Sequence, residues 1–364
     1  MMNRKGYLDR RTLLAAAGSS LFSKPLWAAR RFAPVPEEEL LVAFGHTSPV
    51  TDGGWTHAHD LGVQAVRRTF PRLRTLFVES IPYSADATRI FRQFVAEGAQ
   101  MVISTSTYGD FLRDVSSKVP DVAFMECDGN TITDNLGWYY IAHWNVSYVL
   151  GVAAARLSRT GKIGFIASFP VPAAFSGANA TLMGARSVNP EATLRVISIN
   201  SWFDPQAASE AASALIDNGC DFLGGVMDEP AYLRVAEMRG AWAAMWNTDM
   251  RRFGPNAYVS SVMLDFAPYY VEQVRARIQG TWQPQGRFLK MGQGVDRDAW
   301  GQRVPLSVQT EADAARTRIL GGWSPFQGPI RDSEGHMRVP AGRTMTDREL
   351  YGWRWQVEGV SGLE

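Results

Sequence analysis

The residue groupings that could carry chemistry are few, and each can be tested on spacing. His57-Ala58-His59 is the one close histidine pair. On a strand, alternate side chains share a face and an H-x-H can ligate zinc, but the surrounding pattern is helical. Two residues apart on a helix is about 200°, so the rings point to opposite sides. One exposed histidine and one packed or hydrogen-bonded histidine are expected, with no metal. The chain has no G-x-S-x-G nucleophile elbow and no phosphate-binding P-loop. Gly292-Gln293-Gly294 lacks the third glycine of a dinucleotide-binding turn. Cys127 lies between Glu126 and Asp128, which raise a thiol's pKa rather than activate it. The acids Asp228-Glu229 have no partner that sequence spacing can place. No enzyme is implied, and no cofactor.

The elements that must position a site alternate. Apolar runs at Leu40–Phe44, Thr75–Glu79, Met101–Ser104 and Val122–Met125 read as strands, and Thr56–Phe70 and Ala85–Gly98 as helices. A long helix is expected from about His143 to Arg159. The alternation then restarts. Strands are expected at Lys162–Ala167, Leu194–Ile199, Phe222–Val226 and Tyr258–Leu264, with helices at Ala174–Ser187, Pro205–Asn218, Ala231–Arg239 and Pro268–Gln279. Two successive series of this kind predict two α/β lobes with parallel sheets flanked by helices. In such sheets ligands bind beyond the carboxyl ends of strands. The segments singled out are therefore His46–Trp55, Ser80–Tyr83, Thr105–Gly109, Asp128–Asn130, Ser168–Pro172, Asn200–Asp204, Met227–Pro230 and Asn247–Met250.

Composition bounds the rest. The 364 residues suit two domains, with 46% hydrophobic and 20% charged residues, enough for a core and a solvated surface. A net charge of +1 argues against a nucleic-acid partner. Two cysteines, Cys127 and Cys220, cannot make a disulfide framework, and two buried thiols are expected. The body lacks the run of about 18 apolar residues that a membrane span needs. Residues 1–28 read as a removable export signal: Arg4, Lys5, Arg10 and Arg11, a weakly apolar stretch, then small residues at a cut near Ala28-Ala29. Asp9-Arg10-Arg11-Thr12-Leu13-Leu14 resembles a twin-arginine signal. Its loss removes five positive charges and one negative, leaving the mature chain net acidic. The expected location is the periplasm, with no membrane insertion of the mature chain.

Several segments resemble the basic membrane protein family, the solute receptors of ABC importers that include purine-nucleoside receptors. They are Pro325-Phe326-Gln327-Gly328-Pro329-Ile330-Arg331-Asp332, Val339-Pro340-Ala341-Gly342 and Val357-Glu358-Gly359-Val360 near the C-terminus, and Asp52-Gly53-Gly54-Trp55 with His57 to Gly62 early in the chain. Gly161–Ala167 and Phe203-Asp204-Pro205 are further matches. The resemblance implies a type I periplasmic-binding fold with a hinge of three crossing segments. The lobes are expected at 38–150 with 260–285, and 151–259 with 286–364.

The resemblance also implies a site. An aromatic in the first loop stacks on one face of a purine, here Trp55, beside Gly54. A second, before the Asp-Pro turn, stacks on the other face, here Trp202 with Phe203 as the fallback. Asp128 would hydrogen-bond the base edge, a further acid falls on Asn247 or Asp249, and Asp52 opens the first loop. Other uses fit the same residues: Asp52 as a helix N-cap, Trp55 as an anchor under its loop, Trp202 as packing, Asp128-Gly129-Asn130 as a turn, and Asp249 as an arginine's partner. Where nucleoside-binding members carry a basic residue, this chain has Leu264-Asp265. A glycine-rich stretch becomes Met227-Asp228-Glu229-Pro230. Both changes shrink the site or add negative charge near a ribose, so a free nucleobase such as adenine is expected rather than a nucleoside. The implied partners are a small purine-type ligand and an ABC permease, with the receptor a monomer. A sensor docking on a signalling receptor, a hydrolase or deaminase on α/β lobes, and a receptor for another flat heterocycle are the competing roles. Neighbouring genes, turnover of adenine and the mass of a co-purified ligand separate them.

Overall fold

The computed structural model describes residues 32–363. The expected export signal at 1–28 lies outside the described residues. The first series runs β1 (Leu41–Gly45), α1 (Trp55–Thr69), β2 (Arg74–Val78), α2 (Ala85–Ala96), β3 (Met101–Ser104), α3 (Asp110–Ser116), β4 (Ala123–Cys127) and β5 (Leu136–Ile141). The second follows as α4 (Trp144–Leu157), β6 (Lys162–Ala167), α5 (Pro172–Arg186), β7 (Thr193–Ser198), α6 (Pro205–Asp217), β8 (Phe222–Val226), α7 (Ala231–Arg239), β9 (Trp242–Asn247) and β10 (Tyr258–Leu264). Next come α8 (Ala267–Ile278), β11 (Gly286–Leu289), β12 (Val295–Arg297) and α9 (Leu306–Leu320). Then β13 (Ile330–Arg331), β14 (Met337–Val339), α10 (Asp347–Tyr351) and β15 (Val360–Ser361) complete the described chain.

Two parallel sheets result. The first has the order β11-β5-β4-β3-β1-β2, the second β12-β10-β9-β8-β6-β7-β15, with β12 antiparallel to β10. Their central orders, β5-β4-β3-β1-β2 and β10-β9-β8-β6-β7, are the same arrangement used twice. Central strands such as β1, β3 and β4 are buried along their whole length, which is why they read as continuous apolar runs rather than alternating ones. Local signals start the helices. Asp204 accepts from the Ala207 amide at 3.0 Å with Pro205 in the first turn of α6, and Thr346 and Glu349 form a reciprocal capping box on α10. The tightest helix contact is between α4 and α5, where a Cβ at Gly151 would strike the Thr181 carbonyl and one at Gly184 the Tyr148 carbonyl.

The chain crosses between the sheets three times: after β5, after β10 and between β11 and β12. Sheet membership differs from the expected boundaries in three places. Helix α4 packs on α5 and α9 of the second lobe, so the first crossing falls near residues 142–143 rather than 150. Strand β10 pairs with β9, and β11 pairs with β5, so 260–264 lie in the second sheet and 286–289 in the first. The apolar pattern marked these strands but not which sheet would accept them. Strand β5 was not anticipated, because its sequence, LGWYYI, is buried on both faces and runs directly into α4. Cys127 and Cys220 are buried free thiols.

Candidate functional site

A cleft of about 1010 Å³ opens between the lobes at the carboxyl ends of both sheets. Thr47 and Ser48 follow β1, while Ser106 and Thr107 follow β3, so they flank the point where strand order reverses in the first sheet. Val171 and Pro172 follow β6 and Asp228 follows β8, at the matching point of the second. Asp128 and Asn130 beyond β4, and Trp202 and Phe203 beyond β7, complete the walls.

Trp55 is the first residue of α1, entered through Gly53 in the left-handed region (φ 77°) and Gly54. Its indole Nε1 donates to the Thr105 carbonyl at 2.8 Å, and its ring meets His59 and Phe266 edge-on at 4.9 and 5.8 Å. The brace beneath is itself fixed. His59 stacks on Phe266 at 3.8 Å and its Nδ1 bonds the Tyr270 hydroxyl at 2.6 Å; that hydroxyl bonds Tyr139, which donates to the Ser104 carbonyl. Burial, reinforced by His46 nearby, holds His59 well below the ordinary histidine pKa, so the brace is neutral. His57, by contrast, is half-buried and its Nδ1 meets the Val50 carbonyl at 3.3 Å. No group of His, Cys, Asp and Glu among the described residues could hold a metal ion.

The opposite wall is looser. Trp202 is 41% and Phe203 55% exposed. Trp202 leans on Phe169 at 5.8 Å and its carbonyl accepts from the Asp228 amide at 3.0 Å.

Among the described residues, two carboxylates reach the cleft lining. Asp128 has a left-handed backbone (φ 58°), which aspartate tolerates better than most residues. Its Oδ1 accepts from the Tyr351 hydroxyl at 2.8 Å. Burial raises its pKa to about 6, with Glu126 adding to the rise and the Tyr351 bond opposing it. Asp228 is almost fully buried and accepts from Asn247 Nδ2. Asn247, also left-handed (φ 73°), is buried outside the lining, so it supports Asp228 rather than the cavity.

Contacts between the lobes keep this cleft narrow. Gly54 packs so closely on the second lobe that an added Cβ would lie 2.8 Å from Asp228 Cα, and Thr248 Oγ1 donates to the Gly53 carbonyl. Gly54 is therefore a contact point rather than a lining residue. Two other expected positions also lie outside the lining. Asp249 is exposed and its carboxylate accepts from Arg251 Nε at 2.8 Å. Asp265 is exposed at the second crossing, where it accepts from the Ala267 amide at 3.0 Å and helps start α8. Asp52 falls in a short 3-10 turn, Val50–Asp52; the N-cap of α1 is Gly54, not Asp52.

Sequence reasoning missed the end of the cleft nearest the crossings, formed by Tyr140, Ser176, Trp246, Tyr351 and Arg354. Tyr140 belongs to the unanticipated β5. Tyr351 reaches Asp128 across 223 residues of sequence, a contact with no local signature.

The fold and cleft define a class, the two-lobed α/β proteins with parallel sheets on either side of a cleft. Solved structures agree on the architecture: an ABC solute-binding protein from Aeropyrum pernix K1 (TM-score 0.69, 12% identity, covering 80% of this chain and 93% of that one) and one from Conexibacter woesei (TM-score 0.65, 20% identity, 78% and 97%). Residues 40–298 match the Bmp family, described as ABC transporter substrate-binding protein PnrA-like, and the chain belongs to that family of transport receptors rather than to enzymes. It is 36% identical over 327 residues to a purine-binding protein of Brucella abortus, covering 89% of this chain and 93% of that one. It is 35% identical over 290 residues to a Haloferax volcanii protein named "Putative ABC transporter glucose-binding protein", covering 79% and 74%.

Proposed function

We propose that this receptor binds a purine-type ligand between its lobes, a free nucleobase such as adenine in preference to a nucleoside, and delivers it to an ABC permease from outside the cytoplasm. The observation that carries the reading is that Trp55 from one lobe and Trp202 from the other line the same cleft, together with the carboxylates of Asp128 and Asp228. A purine is flat, apolar on its faces and polar at its edge. Stacking of a base on an aromatic contributes ~1–3 kcal/mol, and a carboxylate accepts from ring or exocyclic N–H groups. With about ten heavy atoms, adenine leaves room for sub-micromolar affinity. Narrowness on the ribose side is supported by Asp228 lying directly under Gly54, with no basic residue at Leu264-Asp265. The purine-binding relative points to the same ligand class. The basic, then apolar, then small-residue order of residues 1–28 supports export, and no helix among the described residues is long and apolar enough to cross a membrane.

The test is calorimetric titration of protein refolded free of carried ligand with adenine, guanine, hypoxanthine, adenosine, guanosine and glucose. Adenine is expected to bind tightest and glucose not at all. Tighter binding of nucleosides overturns the nucleobase preference, and binding of glucose alone overturns the purine reading.

A further inference from the structure

Tyr351 lies outside every segment that strand order singles out, yet it touches both the cleft and the acid that lines it. Its backbone is held with the second lobe. The α10 helix starts at the Thr346–Glu349 capping box, and just beyond it Asn179 of α5 donates to the Trp355 carbonyl at 2.8 Å and accepts from the Val357 amide at 3.0 Å. Its ring lies in an aromatic box of the first lobe: parallel to Trp138 (6.0 Å, 5°), tilted on Tyr140 (4.9 Å) and edge-on to Phe288 (5.5 Å). The phenol is therefore fixed in position by both halves of the molecule.

Among the described residues its hydroxyl meets acceptors alone, Asp128 Oδ1 at 2.8 Å and the Gly129 carbonyl at 3.1 Å, so it acts as the donor. Burial pushes its pKa far above the usual phenol range, so it keeps its proton at every physiological pH. Asp128 Oδ2 has no hydrogen-bond partner among the described residues. We propose that Tyr351 is a specificity-determining residue: by occupying Oδ1 it fixes the Asp128 carboxylate as a charged acceptor whose other oxygen selects ligands presenting an N–H group. The proposal rests on the purine reading and goes beyond it by naming the residue that sets the acid's protonation and orientation.

The ionisable groups around Asp128 are Glu126 and Cys127 on the strand before it, Tyr140 on β5 and Tyr351 on α10, with Arg354 elsewhere in the lining of the same cleft. Burial raises Cys127 and Tyr140 well above their ordinary values, so they stay neutral. Glu126 is also raised by burial, while its Oε1 accepts from the Tyr108 and Gly109 amides at 2.7 and 2.9 Å. A ligand N–H bonds the ionised acid, so affinity falls as pH drops through the Asp128 pKa of about 6. Removing the donor destabilises the carboxylate and raises that pKa, so the fall begins at a higher pH.

The experiment is adenine titration from pH 5 to 8.5 on the intact wild-type protein, Tyr351→Phe and Asp128→Asn. Tyr351→Phe keeps the ring contacts. It is expected to weaken binding roughly tenfold at pH 7.5, the order of one hydrogen bond to a charged group, and to move the midpoint upward. Asp128→Asn is expected to flatten the profile. If Tyr351 only packs, Tyr351→Phe keeps the wild-type midpoint and the proposal is overturned. Carbon-13 aspartate NMR supplies a reading that needs no ligand: the carboxyl that vanishes in Asp128→Asn should titrate at a higher pH in Tyr351→Phe than in wild type, and the same midpoint in both overturns the proposal. A wild-type protein that binds no purine refutes the ligand reading instead, which keeps the two failures distinct.

Discussion

Asp128 and Asn247 occupy the same place in the two lobes. Each closes the equivalent strand of its sheet, β4 or β9, and each has a left-handed backbone. Ser80 and Asn200 repeat the match at the ends of β2 and β7, so the four non-glycine residues with positive φ among the described residues form two equivalent pairs. Backbone strain of this kind collects where a fold must aim side chains at a site. The backbone is thus used twice and the chemistry only once. Asp128 lines the cleft as an acid, whereas Asn247 is turned away and spends its amide on Asp228. The aromatic walls differ in the same sense. Trp55 is hydrogen-bonded and braced, while Trp202 has one ring contact among the described residues and is 41% exposed. One lobe supplies a rigid platform and the other an adaptable cover.

The sharpest way to break that contrast is Trp55→Ala. It removes a stacking face and the packing above His59 together, so adenine affinity should fall roughly a hundredfold and stability by ~3–5 kcal/mol. Calorimetry and urea unfolding read the two effects separately. A variant that loses affinity while keeping full stability would show the platform to be as loose as the cover.

Asn247→Asp makes the lobes alike. It places a second carboxylate against Asp228 and removes the donor that pairs them. Stability should drop by ~2–4 kcal/mol at pH 8. Sharing one site raises the pair's folded-state pKa, which favours the protonated form, so the loss should shrink as pH falls toward 5. Melting temperature against pH measures this, and a loss that grows on acidification would contradict the assignment.

Trp202→Ala carries the smallest effect. Affinity should fall about tenfold with stability changed by less than ~0.5 kcal/mol, because an exposed ring leaves no cavity. Equal stability losses for Trp55→Ala and Trp202→Ala would erase the distinction between the walls.

The repeated strand–helix alternation was legible because parallel strands buried on both faces write themselves as short apolar runs. The rule that ligands gather beyond strand ends then led to Trp55, Asp128, Trp202, Phe203 and Asp228. It failed where residues follow strands but serve other ends. Asp249 is drawn to Arg251. Asp265, put forward by the family resemblance and not by that rule, starts α8 at a crossing. The rule could not reach Tyr351, whose pairing with Asp128 depends on how the segment after β14 returns to lie beside the first lobe. The capping box Thr346-x-x-Glu349 on that segment announces a helix, not a site.

The three strands of chain passing between the lobes carry one further consequence. A single link would let the halves tumble about each other. Three links side by side, after β5, after β10 and between β11 and β12, suppress twisting and sliding and leave essentially one angular degree of freedom. Opening of the cleft then reduces to a single angle, and the Thr248–Gly53 bond and the Gly54–Asp228 contact, just beyond the ends of β9 and β8, tie the two halves together on the closed side of it.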